Sequence, residues 1–546
     1  MTLLARVNGL PFAVPRRPGR PAVVAGLVAV ALSLAWGLWL ARNAGDLAAQ
    51  YAWTNFVRHH PGSAYNLSWY GGIHPASYSV LSPYLMAWLG VRTTGVLACT
   101  GSAVLGGLLL EKSGIRRPLV PAIGLSVAVW CNLAAGRVTY LLGMTFALMA
   151  AYYAMEGIGR HRPRPLIMAT AGTVATLCSP VAGLFIEVLA AALFIVGRRR
   201  HAYLLAAGPP VVIGVTSLLF PFSGVQPFPW YSALVTAAAA IAVARLTPPA
   251  WRTVRVGAWV YALGVALCWA LPTPIGSNVE RLALLGSCII LICAARAGEP
   301  RGRRTIVTYV AAAALAAWTA AQPVADLIRT TPANAAIADA KPLLAELHQL
   351  HAEQGRVEVV PLRTHWEASG IAPDLDLARG WNRQADVQRN PLFYDDTLTA
   401  ASYRAWLRNW SVGYVVLPTA ELDSGGIAEA RIITEEQPWL YRVWRDANWQ
   451  IYRVEGSDPL ASLPATVTYA GPAALTVHLP RPGSALVRIE WSPWLAINDI
   501  DDDTSPRACL SRNGDWTELS APDAGSYTIE ARYTLDRGTP CPARDS

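Results

Sequence analysis

The segment from residue 42 to residue 78 is rich in side chains that suit sugar binding. Asp46 and Gln50 are four residues apart, so a helix would place both on one face. Carboxylate and amide groups bind hydroxyls, and aromatic rings stack on the C–H-rich faces of pyranose rings. The other side chains of this kind are His59, His60, Tyr65, Asn66, Trp69, Tyr70 and His74.

A simpler interpretation is that the aromatic residues of this segment form the belt that flanks membrane helices. It accounts for Trp69 and Tyr70, but not for a carboxylate directly after an apolar run or for the length of the segment. We therefore expect a structured outer loop over residues 42–78 that contacts a carbohydrate.

The surrounding sequence predicts an α-helical polytopic membrane domain over residues 21–325, preceded by a basic N-terminus at 1–20 that has no usual cleavage site. About eleven apolar runs suit membrane-spanning helices, although several are short for a hydrocarbon core of about 30 Å. The runs cover residues 21–41, 93–110, 118–133, 139–156, 165–179, 181–197, 202–220, 229–245, 256–271, 282–296 and 305–322.

Arginine clusters occur in every second connection between these runs, and cytoplasmic loops are the ones that carry such clusters. An odd number of crossings from a cytoplasmic N-terminus then puts the C-terminal region outside the cytoplasm. The prediction is a multi-pass plasma-membrane protein with the lipid bilayer as a partner. The clusters are Arg116-Arg117, residues 160–164, residues 198–200, Arg252 with Arg255, and residues 301–304.

The C-terminal region reads as two extracytoplasmic domains. Residues 326–460 show a mixed α/β pattern, with a helix at 334–353 and strands such as Val412–Pro418. From residue 461 to residue 546, short strand-like runs separated by Pro, Gly and Asp favour a β-sandwich. Cys509 and Cys541 lie alone there, so in an oxidising compartment they are expected to form a disulfide.

Composition excludes several other classes of protein. Hydrophobic residues make up 53% of the chain and charged residues only 15%, against roughly a quarter in soluble domains. The net charge of +9 comes mostly from the clusters beside apolar runs, so we expect no nucleic-acid partner. No Cys/His spacing for zinc and no phosphate-binding glycine loop is present.

This order of elements resembles the GT-C superfamily of integral membrane glycosyltransferases. A first span is followed by an outer helix bearing an acidic residue, then by many spans and an outer C-terminal domain. The resemblance implies a polyprenyl-phosphate sugar as donor and a cell-envelope glycan or glycolipid as acceptor. It also implies that Asp46, the matching acidic residue, acts as general base on the acceptor hydroxyl. The loop lacks an Asp-x-Asp pair, which leaves a divalent cation as a possible cofactor only.

Glycosyl transfer also needs positive charge for the departing phosphate. Arg137 and Arg281 lie at the predicted outer ends of spans, where a lipid phosphate would bind, and a guanidinium fork suits a pair of phosphate oxygens. The alternative is that both arginines only reach toward the membrane interface. Glu280 either joins this binding site or neutralises Arg281.

Weaker candidates lie elsewhere. Arg379, Trp381 and Arg383 combine stacking and hydrogen-bonding groups, so they are candidates for substrate binding, with a surface loop as the alternative. We assign His59, His60 and His74 to the acceptor cleft on residue type alone.

Two other functions compete with glycosyl transfer. A multi-spanning transporter of an envelope precursor fits the many spans, but the halves show no repeat and the spans hold almost no charged residues. A non-catalytic protein that binds envelope glycan through its β-rich end is the second alternative.

Overall fold

The computed structural model describes residues 19–40, 45–115, 117–156, 164–298, 302–330, 340–498, 508–535 and 537–542. The chain divides into two compact units. Unit 1 comprises Met1–Leu47 and Ser79–Pro332, and unit 2 comprises Ala48–Tyr78 and Ala333–Ser546. Three parts of the predicted arginine clusters, Arg116, residues 160–163 and Arg301, lie outside the described residues.

Unit 1 is helical. Each of the eleven apolar runs predicted from the sequence coincides with a helix or, at residues 202–220, with two consecutive helices. The helices up to Lys112 are α1 Arg20–Leu38, α2 Gly45–His59, α3 Pro75–Tyr78, α4 Ser82–Leu89 and α5 Val91–Lys112, of which α3 and most of α2 belong to unit 2. The remaining helices are α6 Leu119–Ala134, α7 Val138–Glu156, α8 Pro165–Cys178, α9 Pro180–Ile195, α10 Arg199–Ala206, α11 Gly208–Leu219, α12 Trp230–Leu246, α13 Arg252–Ala270, α14 Glu280–Ala297 and α15 Arg303–Thr330.

Among the described residues, seven helical segments are long and apolar enough to cross a membrane, with α10 and α11 counted as one segment. Helices α6, α8, α9 and α12 are apolar but shorter. Large apolar side chains on these helices are exposed, for example Leu218 at 80% and Leu166 at 77%. An apolar surface of this kind indicates association with a membrane.

Helices α1 and α5 approach closely because small residues line their contact. A Cβ added to Gly107 would lie 2.7 Å from Cα of Ala22. Four residues after Gly107 on α5, the Glu111 carboxylate accepts hydrogen bonds from the backbone N–H groups of Gly19 (3.1 Å) and Ala22 (2.8 Å). These N–H groups have no partner within α1, so Glu111 caps the start of that helix from α5.

Unit 2 contains a mixed sheet with helices around it. In the described part of the chain this sheet has four strands in the order β1-β2-β4-β3, with β1 parallel to β2 and the other neighbours antiparallel. The strands are β1 Arg356–Val359, β2 Val412–Pro418, β3 Leu440–Arg445 and β4 Trp449–Val454. The helices are α16 Lys341–Gln349, α17 Glu367–Gly370, α18 Arg383–Arg389, α19 Ala400–Asn409 and α20 Ile427–Thr434.

The C-terminal part of unit 2 is built from two antiparallel sheets. Over the described residues, the first sheet has the order β7-β10-β9 and the second the order β5-β6-β11-β8. Together with the helical unit 1, they confirm the predicted combination of a helical region and a C-terminal β region. The strands are β5 Thr466–Gly471, β6 Ala474–Leu479, β7 Gly483–Glu490, β8 Ala496–Asn498, β9 Cys509–Asn513, β10 Trp516–Ala521 and β11 Gly525–Glu530.

Residues 537–542 are joined to β9 by a disulfide and by backbone hydrogen bonds. Cys509 and Cys541 form a disulfide, as predicted. Beside it, the N–H of Leu510 donates to the carbonyl of Thr539 (2.8 Å), and the N–H of Cys541 donates to the carbonyl of Leu510 (2.9 Å). The disulfide therefore joins β9 to a segment that already pairs with it, and it suits an oxidising compartment outside the cytoplasm.

Segment 48–78 is an integral part of unit 2. The N–H of Ala64 donates to the carbonyl of Ala531 at the end of β11, and the N–H of Leu67 donates to the carbonyl of Pro472 (both 2.8 Å). Trp69 forms a bridge with Leu377. The predicted outer loop is thus structured, and it pairs with residues that follow it by more than 300 positions in the sequence.

Candidate functional site

The Asp46 carboxylate lies between two guanidinium groups in unit 1. Nε of Arg137 is 3.5 Å from its Oδ2 atom, and Nη2 of Arg281 is 3.9 Å from the same atom. The three side chains keep 35%, 23% and 21% of their surface exposed, respectively. Sequence analysis selected each of these residues for a separate reason, and the structure brings all three together at a site that solvent reaches.

The first turn of α2 positions Asp46. A carboxylate is favoured there because the unpaired N–H groups of a helix start carry partial positive charge. Gly136, in the turn between α6 and α7, packs against this point with φ of +76°. A Cβ at Gly136 would lie 2.7 Å from the backbone N of Leu47, so only glycine permits this approach. The close contact sets the distance from Arg137 to Asp46.

Tyr140 positions Arg281. It lies one helical turn after Arg137 on α7, and its hydroxyl donates to the carbonyl of Arg281 (3.4 Å). The Arg281 guanidinium lies 5.3 Å from the centre of the Tyr140 ring, within the range of a cation–π contact. The residue directly before α7 therefore supplies one guanidinium group, and the first turn of α7 supports Arg281 through Tyr140.

The start of α14 is fixed by hydrogen bonds from neighbouring helices. The Tyr261 hydroxyl donates to the carbonyl of Val279 (2.6 Å), and the Ser232 hydroxyl donates to the Glu280 carboxylate. Glu280 is therefore engaged by Ser232 beside Arg281. These contacts hold the residue that precedes Arg281 and so limit where the guanidinium group lies.

Two guanidinium groups and one carboxylate can perform two chemical tasks. The guanidinium groups can bind an anion with several oxygen acceptors, such as a phosphate. The carboxylate can accept a proton from a hydroxyl that approaches the same place. Glu280 adds a second negative group at the edge of the cluster.

Gln50 and His59 lie farther along α2, and His60 directly follows this helix, all three in unit 2. Gln50 is buried, and its amide donates to the Tyr78 hydroxyl. Nδ1 of His59 lies 2.9 Å from the carbonyl of Asn55. Burial, and then the neighbouring His59, lower the pKa of His60. The shared helical face predicted for Asp46 and Gln50 thus carries one exposed carboxylate and one buried amide.

Four loop residues expected to bind sugar are buried in unit 2, where their polar groups have partners in the same unit. The Tyr65 hydroxyl donates to the carbonyl of Glu490 (3.1 Å), and the Tyr70 hydroxyl donates to that of Gly380 (2.8 Å). Asn66 Oδ1 accepts from the backbone N–H of Ser68 (3.0 Å), and Trp69 Nε1 donates to the carbonyl of Ala368 (3.2 Å). The geometry favours a structural role for Tyr65, Asn66, Trp69 and Tyr70 over sugar binding.

His74 is likewise buried, with both ring nitrogens paired. Nδ1 lies 2.7 Å from the carbonyl of Ala64, and Nε2 lies 3.0 Å from Oγ of Ser492. A carbonyl only accepts, so Nδ1 carries the proton and Nε2 accepts from the serine hydroxyl. Burial lowers the pKa of His74 to about 4, although the hydrogen bond to Ala64 opposes this shift. A neutral, fully paired imidazole favours a structural role here over acceptor binding.

Arg379, Trp381 and Arg383 also belong to a buried network in unit 2. Arg379 binds the Asp386 carboxylate through Nε (3.0 Å) and Nη2 (2.7 Å). Arg383 donates to Oδ1 of Asp423 (2.8 Å). The half-buried Trp381 ring stacks on a buried side chain, the imidazole of His365, with ring centres 3.6 Å apart. The structure favours a structural role for these three residues as well.

Sequence reasoning missed Gly136, Tyr140 and Ser232, which hold the charged cluster in place. Gly136 directly precedes Arg137, which was the available signal. Tyr140 and Arg137 are three residues apart on a helix, so their shared face was also readable. Ser232 lies 48 positions from Glu280, and nothing local in the sequence links them.

Within the described part of the chain, no group of three or more His, Cys, Asp or Glu side chains is placed to hold a metal ion. Residues 462–546 match a family model described as a domain of unknown function (DUF8823). This match covers the two antiparallel sheets of unit 2. No curated protein matches the chain.

Proposed function

We propose that this chain is a membrane glycosyltransferase that moves a sugar from a polyprenyl-phosphate carrier to a cell-envelope glycan or glycolipid. The observation that carries the proposal is the cluster of Asp46, Arg137 and Arg281, with 3.5 Å and 3.9 Å between the charged atoms. It combines a proton acceptor with a phosphate-binding pair of arginines in a helical unit whose apolar surface suits a lipid substrate.

In the proposed reaction, Asp46 takes the proton from an acceptor hydroxyl as the hydroxyl oxygen attacks the anomeric carbon of the donor sugar. A new glycosidic C–O bond forms while the bond between the anomeric carbon and the phosphate oxygen breaks. The bonding electrons leave with the polyprenyl phosphate. Arg137 and Arg281 stabilise the negative charge that develops on that phosphate.

The proposed location is the outer face of the plasma membrane, with a cytoplasmic N-terminus and an extracytoplasmic unit 2. The apolar helices are the argument for a location in the membrane, and the Cys509–Cys541 disulfide is the argument for placing unit 2 in the outer compartment. A tag fused after Ser546 should therefore be cleaved by external protease in intact spheroplasts. Protection of the tag would invert the orientation and contradict this part of the proposal.

The catalytic part is tested in a strain that lacks the gene, analysed for altered envelope glycans and accumulated lipid-linked sugar. The wild-type gene should restore the glycan, whereas Asp46→Asn should not, although the variant protein reaches the membrane in equal amount. Full restoration by Asp46→Asn would contradict the role of Asp46 as general base.

The phosphate site is tested independently of the sugar with undecaprenyl phosphate as the probe. Native mass spectrometry of the purified full-length protein should show weaker binding to Arg137→Ala and Arg281→Ala than to wild type. Arg363→Ala, which removes an arginine that pairs with Glu421 in unit 2, is the matched control and should bind as wild type does. Unchanged binding by both site variants would contradict the proposed function.

A further inference from the structure

We infer that Asp46 also regulates its own site: its carboxylate acts as an internal counterion of Arg137 and Arg281 that the donor phosphate must displace. This inference rests on the proposed function, because it assigns to the two arginines the phosphate group of the lipid-linked donor. It adds an order of events, since the donor binds first and the base is then released to the acceptor.

The contact geometry carries this inference. Both guanidinium groups approach the same carboxylate oxygen, Oδ2, rather than one oxygen each. That oxygen lies where an anion held by both arginines would place one of its own oxygens. The carboxylate and a phosphate therefore compete for the same two partners, and their like charges also oppose simultaneous occupancy.

The strength of the contact suits displacement. At 3.5 Å and 3.9 Å the pairs are longer than direct charged hydrogen bonds, and all three side chains keep between a fifth and about a third of their surface exposed. Such ion pairs are individually weak. A phosphate that accepts short hydrogen bonds from both guanidinium groups would replace them.

The supporting residues allow the exchange without rearrangement of the arginines. Gly136 fixes the start of Arg137 against α2, and Tyr140 holds Arg281 by its ring and its hydroxyl. The backbone beside Arg137 and the side chain of Arg281 thus have contacts that do not depend on the Asp46 carboxylate. Rotation of the Asp46 side chain can move its carboxylate away from the two guanidinium groups. Oδ2 is then free to accept the proton of an acceptor hydroxyl.

The experiment compares affinity for undecaprenyl phosphate among full-length wild type, Asp46→Asn and Asp523→Asn. Asp523 is an exposed aspartate of unit 2, so its variant has the same charge change away from the site. We expect Asp46→Asn to bind about three- to tenfold more tightly than wild type, because two weak ion pairs and one repulsion are removed. Asp523→Asn should bind as wild type does.

Two outcomes would overturn the inference. Equal or weaker binding by Asp46→Asn would mean that the carboxylate only orders the arginines. An equal gain in affinity for undecaprenol, which has the same chain without phosphate, would mean that the effect acts on the lipid tail. In both cases weaker binding by Arg137→Ala and Arg281→Ala would leave the proposed function standing, whereas unchanged binding by those two variants contradicts the proposed function itself.

Discussion

Nε of Arg137 lies 3.5 Å from Oδ2 of Asp46, and the glycine next to this arginine touches the residue next to this aspartate. The ion pair lies directly beside the backbone contact between Gly136 and Leu47, so the two contacts depend on each other. The backbone contact brings two distant parts of the chain together, and the ion pair places a carboxylate and a guanidinium group beside that contact.

The first prediction concerns Gly136. Gly136→Ala should weaken undecaprenyl phosphate binding, because a Cβ 2.7 Å from the N of Leu47 displaces the turn that carries Arg137 and so separates its guanidinium group from that of Arg281. Gly197→Ala is the control, since Gly197 also has a positive φ (+87°) but no atom lies within 4 Å of an added Cβ. Both variants should lose about 1 kcal/mol of stability through backbone strain. Only Gly136→Ala should lose binding, and equal binding by the two variants would contradict the proposed contact.

The second prediction concerns the ring of Tyr140. Tyr140→Leu removes the cation–π contact with Arg281 and should weaken phosphate binding severalfold, since such contacts contribute about 0.5–2 kcal/mol. Tyr140→Phe keeps the ring, so it should retain most of the affinity. If both variants bind equally well in the same mass-spectrometric titration, the ring does not position Arg281.

The third prediction concerns pH and His74. Burial lowers the pKa of His74 to about 4, while the unfolded chain has a histidine pKa near 6.5. The unfolded state therefore binds more protons between these values, so stability should fall as the pH is lowered from about 6.5 to about 4. The full effect is about 3 kcal/mol. Thermal unfolding of wild type and His74→Gln across this range checks it, and the variant should show a flatter pH dependence.

His478→Gln provides the control for that measurement, because His478 is exposed on β6. Its pH profile should follow that of the wild type. A wild-type slope that persists in His74→Gln would assign the pH dependence to other groups.

The fourth prediction concerns Arg379. Removing one member of a buried ion pair costs about 3–5 kcal/mol, because the partner charge stays buried without compensation. Arg379→Ala should destabilise unit 2 by that amount, since Arg379 and Asp386 are almost fully buried. Arg363→Ala breaks the more exposed pair with Glu421 and should cost less than about 1 kcal/mol. Comparable melting temperatures for the two variants would show that the buried network adds little.

The fifth prediction concerns the disulfide. Cys509 and Cys541 are 32 positions apart, and closing a loop of that length stabilises a fold by about 3–4 kcal/mol. Cys541→Ser should lower the melting temperature and release the tail segment that pairs with Leu510. Non-reducing mass spectrometry of the wild type should show one linked peptide, and free thiols at both positions would contradict the structure.

The helical fold was predictable because its signal is local. The eleven apolar runs each coincide with one or two helices of unit 1, although α4 lies outside these runs. Pro165 and Pro180 start their helices where a missing N–H costs nothing. Short strand-like runs of alternating residues, separated by turns, likewise predicted β6 and β7. Local changes in residue composition along the chain are enough to locate such helices and strands.

The candidate site was predictable only in part. Asp46, Arg137 and Arg281 were selected from residue type and predicted position, but their convergence depends on packing between helices. Residue type alone does not decide the role of Trp69 and His74, because buried structural groups and ligand-binding groups have the same chemistry. Only contacts distant in sequence, such as the one between His74 and Ser492, distinguish the two uses.

The discontinuous composition of unit 2 has a consequence for biosynthesis. Segment 48–78 leaves the ribosome long before Pro472 and Ala531, the residues that bind its backbone. Trp69 and Tyr70 end fully buried with hydrogen-bond partners at residues 368–382, so they stay exposed until translation has passed that part of the chain. We expect the nascent protein to need a chaperone during that interval, and truncation before β11 to expose the segment to degradation.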